Sequence, residues 1–79
     1  MSSGARSRKF SYLLKSELEH AIDEANLGDE NTAIAKKYLI DQIPQIEIAV
    51  EFGFERSTIS RRMKELVPRV EYAAKKMGY

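Results

Sequence analysis

QIEIAVEFGFERSTISRRMKEL, Gln45 to Leu66, is the most informative run in this chain. Its apolar spacing reads as two short helices joined by a tight turn. Two helices crossing at roughly 90–120° come very close at one point. Only a small side chain fits there, and Ala49 stands in that place. Gly53, one helical turn later, supplies the positive φ that the turn requires. Ile48, Phe52, Phe54, Ile59 and Met63 are spaced to fill the wedge between the helices. The first helix is expected from about Gln45 to Phe52 and the second from about Arg56 or Ser57 to Val67.

Helical periodicity continues in both directions. Upstream, Leu18, Ala21, Ile22 and Ala25 recur at helical spacing, and Ser16 with Glu19 forms a capping-box pattern. Leu14 extends this stripe by one turn, which allows an earlier start near Ser11. Gly28 suits the position just past the end of that helix. Asp29 is then the expected cap of a second helix, with Ile34, Ala35, Tyr38 and Leu39 as its apolar stripe. Pro44 disfavours helical geometry at Ile43, so that helix should end about there. Downstream, Pro68 breaks the pattern but can itself begin a helix, with Val70, Ala73, Ala74 and Met77 inward and Gly78 as the stop. No segment alternates as a strand does. The expected fold class is all-α, with four or five short helices in one domain over residues 10–79. Residues 1–9, MSSGARSRK, read as a flexible basic arm.

At this point the sequence resembles the bacterial helix-turn-helix family, with the motif at residues 45–66. STISRRMKEL looks like the recognition helices of many small regulators. The longer stretch ENTAIAKKYLIDQIPQIEIAVEFGFERSTISRRMKEL is similar to region four of bacterial sigma factors and to stand-alone phage regulators of that pattern. The resemblance covers about residues 29–67. It departs from the family at Pro44, where a Ser or Thr cap is usual, and at Glu55, where Ser is common. It implies sequence-specific binding of double-stranded DNA, by a transcriptional regulator of a bacterium, phage or mobile element. It also implies RNA polymerase as a candidate protein partner. A DNA-packaging or recombination adaptor would use the same motif.

A helical projection assigns roles within the motif. At ~100° per residue, Ile59, Met63 and Leu66 cluster on one side, and Ser57, Ser60, Arg61 and Lys64 lie opposite. Arginine bonds guanine bidentately in the major groove, and serine bonds bases or phosphate. The expected DNA-binding set is Arg56, Ser57, Thr58, Ser60, Arg61, Arg62 and Lys64, with Arg56 at the helix entrance. Arg62 lies beside the apolar seam and is expected either to reach phosphate or to snorkel over the core. Arg6, Arg8 and Lys9 are candidate minor-groove or phosphate contacts, though the same composition suits a solubilising tail. Lys75 and Lys76 suit either phosphate contact or a helix C-terminus.

Composition frames this reading. The chain has 79 residues, 43% hydrophobic and 32% charged, without cysteine, so disulfides and thiolate metal sites are excluded. No apolar run approaches the ~18–20 residues of a membrane span, and no h-region follows the basic N-terminus. A cytoplasmic, nucleoid-associated protein is the expectation. Net charge is only +1, but it is segregated: residues 1–16 carry +4, residues 17–30 carry −6 and residues 55–79 carry +4. A polyanion would meet the two ends. Enzymatic machinery is not expected. His20, the single histidine, sits among Glu17, Glu19, Asp23 and Glu24 without a second ligand cluster. No phosphate loop or nucleophile motif is present, and nothing calls for a cofactor or metal.

One feature sits apart from the motif. Ile46 and Val50 add an apolar pair on a face that the region-four pattern leaves polar. The last helix, the Phe10–Tyr12–Leu13 segment or a second subunit would have to cover it. Cover within the chain is the expectation, which slightly favours a monomer over a homodimer.

Overall fold

The computed structural model describes residues 10–79; the arm with Arg6, Arg8 and Lys9 lies outside them. The described chain is all-α. Helix α1 spans Lys15–Glu24, α2 spans Asp29–Ala35 and runs into a π turn at Lys36–Ile40, α3 spans Gln45–Phe52, and α4 spans Arg56–Lys76.

The longest element departs from expectation. Pro68 neither breaks nor restarts a helix; α4 is one helix of 21 residues that contains it. Proline deletes one backbone hydrogen bond and presses on the preceding turn, at a cost of ~3 kcal/mol. Two facts make this tolerable. Pro68 is on the exposed side of α4, as is Lys64, whose carbonyl loses the bond, so water can replace the missing donor. On the opposite side Ile59, Met63, Leu66, Val70, Ala73 and Ala74 are all buried, in an unbroken stripe across the proline. Burying Leu66 and Val70 alone contributes about 1.5–3 kcal/mol each, which offsets the defect.

α4 packs against α1, α2 and α3. α1 buries Leu18, Ala21 and Ile22, α2 buries Ile34 and Ala35, the π turn buries Leu39, and α3 buries Ile48 and Ala49. Phe10 drops into the same core from a turn ahead of α1. The expected apolar stripes are therefore the observed ones, except that Leu14 is exposed.

Helix ends moved more than stripes did. The expected Ser16–Glu19 capping box is not formed. α1 begins at Lys15, so Glu17 is the residue that reaches back, accepting the Leu14 N–H at 2.9 Å. α1 does not close on Gly28 either. Asn26 takes the left-handed position, with φ 57°, and Gly28, with φ 96°, is the cap that starts α2. Asp29 is then the first helical residue rather than the cap, and Asp29 and Glu30 still face the positive end of the helix dipole. The second helix stops short of Ile43. Its last turn widens so that the Asp41 N–H reaches the Lys36 carbonyl at 3.1 Å, and the Ile43 N–H reaches that of Lys37 at 2.9 Å.

The turn between α3 and α4 is as expected. Gly53 is left-handed (φ 76°, ψ 27°). The Phe54 N–H bonds the Ala49 carbonyl at 2.8 Å and the Gly53 N–H bonds that of Val50 at 3.3 Å, the paired bonds of a Schellman closure. Tyr79 and Gly78 close α4 in the same way on Ala74 and Lys75.

No other described residue covers Ile46 and Val50, which are 57% and 77% exposed. Of the residues expected over them, Phe10, Val70 and Ala73 are buried elsewhere and Tyr12 is itself exposed.

Two substitutions test this fold. Pro68→Ala should raise the melting temperature, by up to ~3 kcal/mol of helix propensity less what the proline withdraws from the unfolded state. A fall in melting temperature would mean that the helix is interrupted there. A Cβ at Gly53 would meet no atom within 4 Å, so Gly53→Ala carries only the cost of left-handed φ, about 1–2 kcal/mol.

Candidate nucleic-acid interface

The N-terminal half of α4 carries the expected contact residues. Glu55 precedes it in extended conformation (φ −76°, ψ 153°), and its carbonyl accepts the N–H groups of Thr58 and Ile59 at 3.0 and 3.3 Å. Its side chain makes no capping bond. Ile59 and Met63 are buried against the rest of the domain, which turns the other side of the helix outward. Arg56, Ser57, Arg61 and Lys64 are exposed, and Thr58 and Ser60 are half-buried on the flanks.

Arg62 separates from this set. Its Nη1 donates to Glu30 Oε1 at 2.8 Å and to Asn31 Oδ1 at 3.1 Å, both at the start of α2. Its guanidinium carbon lies 4.6 Å from the centroid of the Phe54 ring. One side chain thus joins the turn, α2 and α4, with Nη1 shared between Glu30 and Asn31. Of the two expectations for Arg62, its contacts among the described residues are those of a side chain lying over the turn and the start of α2. Thr58, one turn earlier, shares its flank.

Two consecutive lysines act similarly. Lys36 Nζ is 3.0 Å from Asp23 Oδ1 and 3.9 Å from Glu19 Oε2, both on α1. Lys37 Nζ is 3.0 Å from Glu51 Oε2 on α3. These pairs are exposed enough that each is worth ~1 kcal/mol or less, but together they decide where cations remain available. Of the described cations that make no ion pair with another described residue, only Lys15 lies off α4. The others are Arg56, Arg61, Lys64, Arg69, Lys75 and Lys76.

Residues that sequence spacing did not connect also border the outward face. Tyr38, Gln45, Ser60, Met63, Lys64, Val67 and Pro68 line a shallow groove of about 350 Å³. Tyr38 comes from the π turn and Gln45 from the first turn of α3. Nothing local in either segment points to Ser60; the packing of α3 on α4 brings them together.

The acidic stretch around His20 gathers no metal-binding group of three His, Asp or Glu among the described residues. The His20 ring lies 3.4 Å from the Tyr79 hydroxyl and 4.0 Å from Glu24. No described helix is long and apolar enough to cross a membrane. Comparison with protein-family models, curated proteins and solved structures returned no match.

The Arg62 tie yields a direct test. Arg62→Ala should lower stability by about 1–2 kcal/mol through the combined loss of the cation–π contact and the Glu30 pair. In a double-mutant cycle with Glu30→Ala, a coupling of about 0.2–1 kcal/mol is expected. A stability unchanged by Arg62→Ala would mean that the side chain is free in solution.

Proposed function

We propose that this protein binds double-stranded DNA in a sequence-specific way, through the outward face of α4, as a transcriptional regulator of a bacterium, phage or mobile element. The observation that carries the reading is the partition of cations. Lys36, Lys37 and Arg62 are tied to acids, whereas Arg56, Arg61 and Lys64 stand unpaired with other described residues around Ser57 on one helix. The left-handed turn at Gly53 and the small Ala49 against α4 agree with the helix-turn-helix resemblance. In this mode the N-terminal half of α4 enters the major groove and α3 lies across the backbone. Arg61 and Lys64 face base edges, Ser57 and Ser60 allow close approach, and Arg56 meets phosphate. The role is binding rather than catalysis, and the chain's own side chains supply it without a cofactor. The groove lined by Gln45 and Tyr38 borders this face.

A second reading, binding to RNA polymerase or other host machinery, is favoured by one observation: the uncovered Ile46–Val50 pair on α3. The same pair keeps a homodimer open. It predicts that Ile46→Glu with Val50→Glu leaves folding intact and abolishes association with the protein partner.

Duplexes selected from a random pool and titrated at several salt concentrations test the main reading. Affinity should fall steeply with salt, because each neutralised phosphate releases counterions. Arg61→Ala should cost about 1–3 kcal/mol on the selected site and blur preference at one base pair. Absence of binding to every duplex at low salt would overturn the reading in favour of a protein partner.

A further inference from the structure

The uninterrupted course of α4 places a second group of residues in line with its N-terminal face. From Ser57 to Lys75 the helix makes about five turns, or about 27 Å, so the two residues return to the same side. Arg61, Lys64, Pro68 and Tyr72 fall within roughly 60° of that line at ~100° per residue. All of them are exposed, Tyr72 at 67%. Lys75 makes no ion pair with another described residue. The Lys76 ammonium sits 5.9 Å from the centroid of the Tyr72 ring, which adds a second cation beside it. Glu71, the acid of this half of the helix, also falls within about 40° of that line, and it already has a partner.

We infer that the C-terminal half of α4 is a second contact with duplex DNA, in which Tyr72 and Lys75 hold a sugar–phosphate strand flanking the groove that Arg61 and Lys64 enter. The inference rests on the duplex-binding reading above and names what the far end of the same helix does. Distance decides between base and phosphate. Lys75 lies about 21 Å along the axis from Arg61, and the major groove is only about 12 Å wide. With Arg61 at base edges, Lys75 is past the groove wall and opposite the backbone. An ammonium and a phenol hydroxyl both suit a phosphate oxygen, and such contacts position a protein without reading sequence. This assignment depends on Pro68 being inside a continuous helix, since a break there would uncouple the two faces.

The test is the salt dependence of affinity for wild type, Lys75→Gln, Lys75→Arg, Tyr72→Phe and Lys15→Gln, each on a selected duplex and a random one. Losing one phosphate contact should lower the slope of log K against log salt by about 0.9. Between 50 and 200 mM salt, Lys75→Gln should therefore lose about 3.5-fold less affinity than wild type does. Its weakening should be equal on both duplexes, with base preference retained. Lys75→Arg should restore the wild-type slope, Tyr72→Phe should weaken both duplexes alike, and Lys15→Gln, which removes the same charge elsewhere, should leave the slope unchanged. All five proteins should melt at similar temperatures, because every substituted side chain is exposed. If wild type binds DNA and Lys75→Gln matches it in affinity and slope, this inference is overturned and the duplex-binding reading stands. Equal effects of Lys15→Gln and Lys75→Gln would also overturn it, as a bulk charge effect. If wild type binds no duplex at low salt, both fall together.

Discussion

α1, α2 and α3 all bury apolar faces against one stripe of α4. Ile59, Met63, Leu66, Val70, Ala73 and Ala74 present one apolar edge to α1, α2 and α3 at once. In a chain of 79 residues there is little other core to share. Because neighbouring helices bury their stripes against it, the hydrophobic gain is distributed over both sides of Pro68. A local defect in the helix is outweighed by tertiary packing, the usual source of helical stability in proteins. The same commitment of one side to the core turns Ser57, Arg61, Lys64, Tyr72 and Lys75 outward together.

Polar contacts refine what the stripe sets. Arg62 ties α4 to the start of α2 and lies against Phe54 of the turn. Lys36 and Lys37, adjacent on the π turn, reach α1 and α3 respectively. Consecutive residues of a helical turn point in different directions, which is why two neighbours can tie two different helices. These exposed pairs add modestly to stability. Their larger consequence is electrostatic: they neutralise part of the acidic 17–30 segment and leave the unpaired cations concentrated on α4. A chain with a net charge of +1 thereby presents one basic helix.

Much of the candidate site was legible in the sequence, because it is local. Ala49, Gly53 and the inward positions Ile48, Ile59 and Met63 lie within one short run, and helical periodicity alone places Arg61 and Lys64 opposite them. Periodicity could not divide the cations. Arg62 differs from Arg61 by a single step around the helix, and only the nearness of Glu30 and Asn31, far off in sequence, commits it to the fold. Gln45 and Tyr38 reach the groove beside Ser60 for the same kind of reason.

The all-α class, the buried face of each helix and the left-handed closures at Gly53 and Gly78 were readable from residue order alone, because they follow from spacing and from conformations that glycine adopts without strain. Helix ends were less determined. Asn26 and Gly28 are both suited to positive φ, and packing chose which would end α1 and which would begin α2. The continuation of α4 through Pro68, and the exposure of Ile46 and Val50 among the described residues, come from packing between segments. Each outcome turns on a comparison of energies between distant segments. A proline defect is weighed against burial on α1, and Phe10, Val70 and Ala73, candidates to cover α3, are buried elsewhere in the fold. Local propensity carries no information about either comparison.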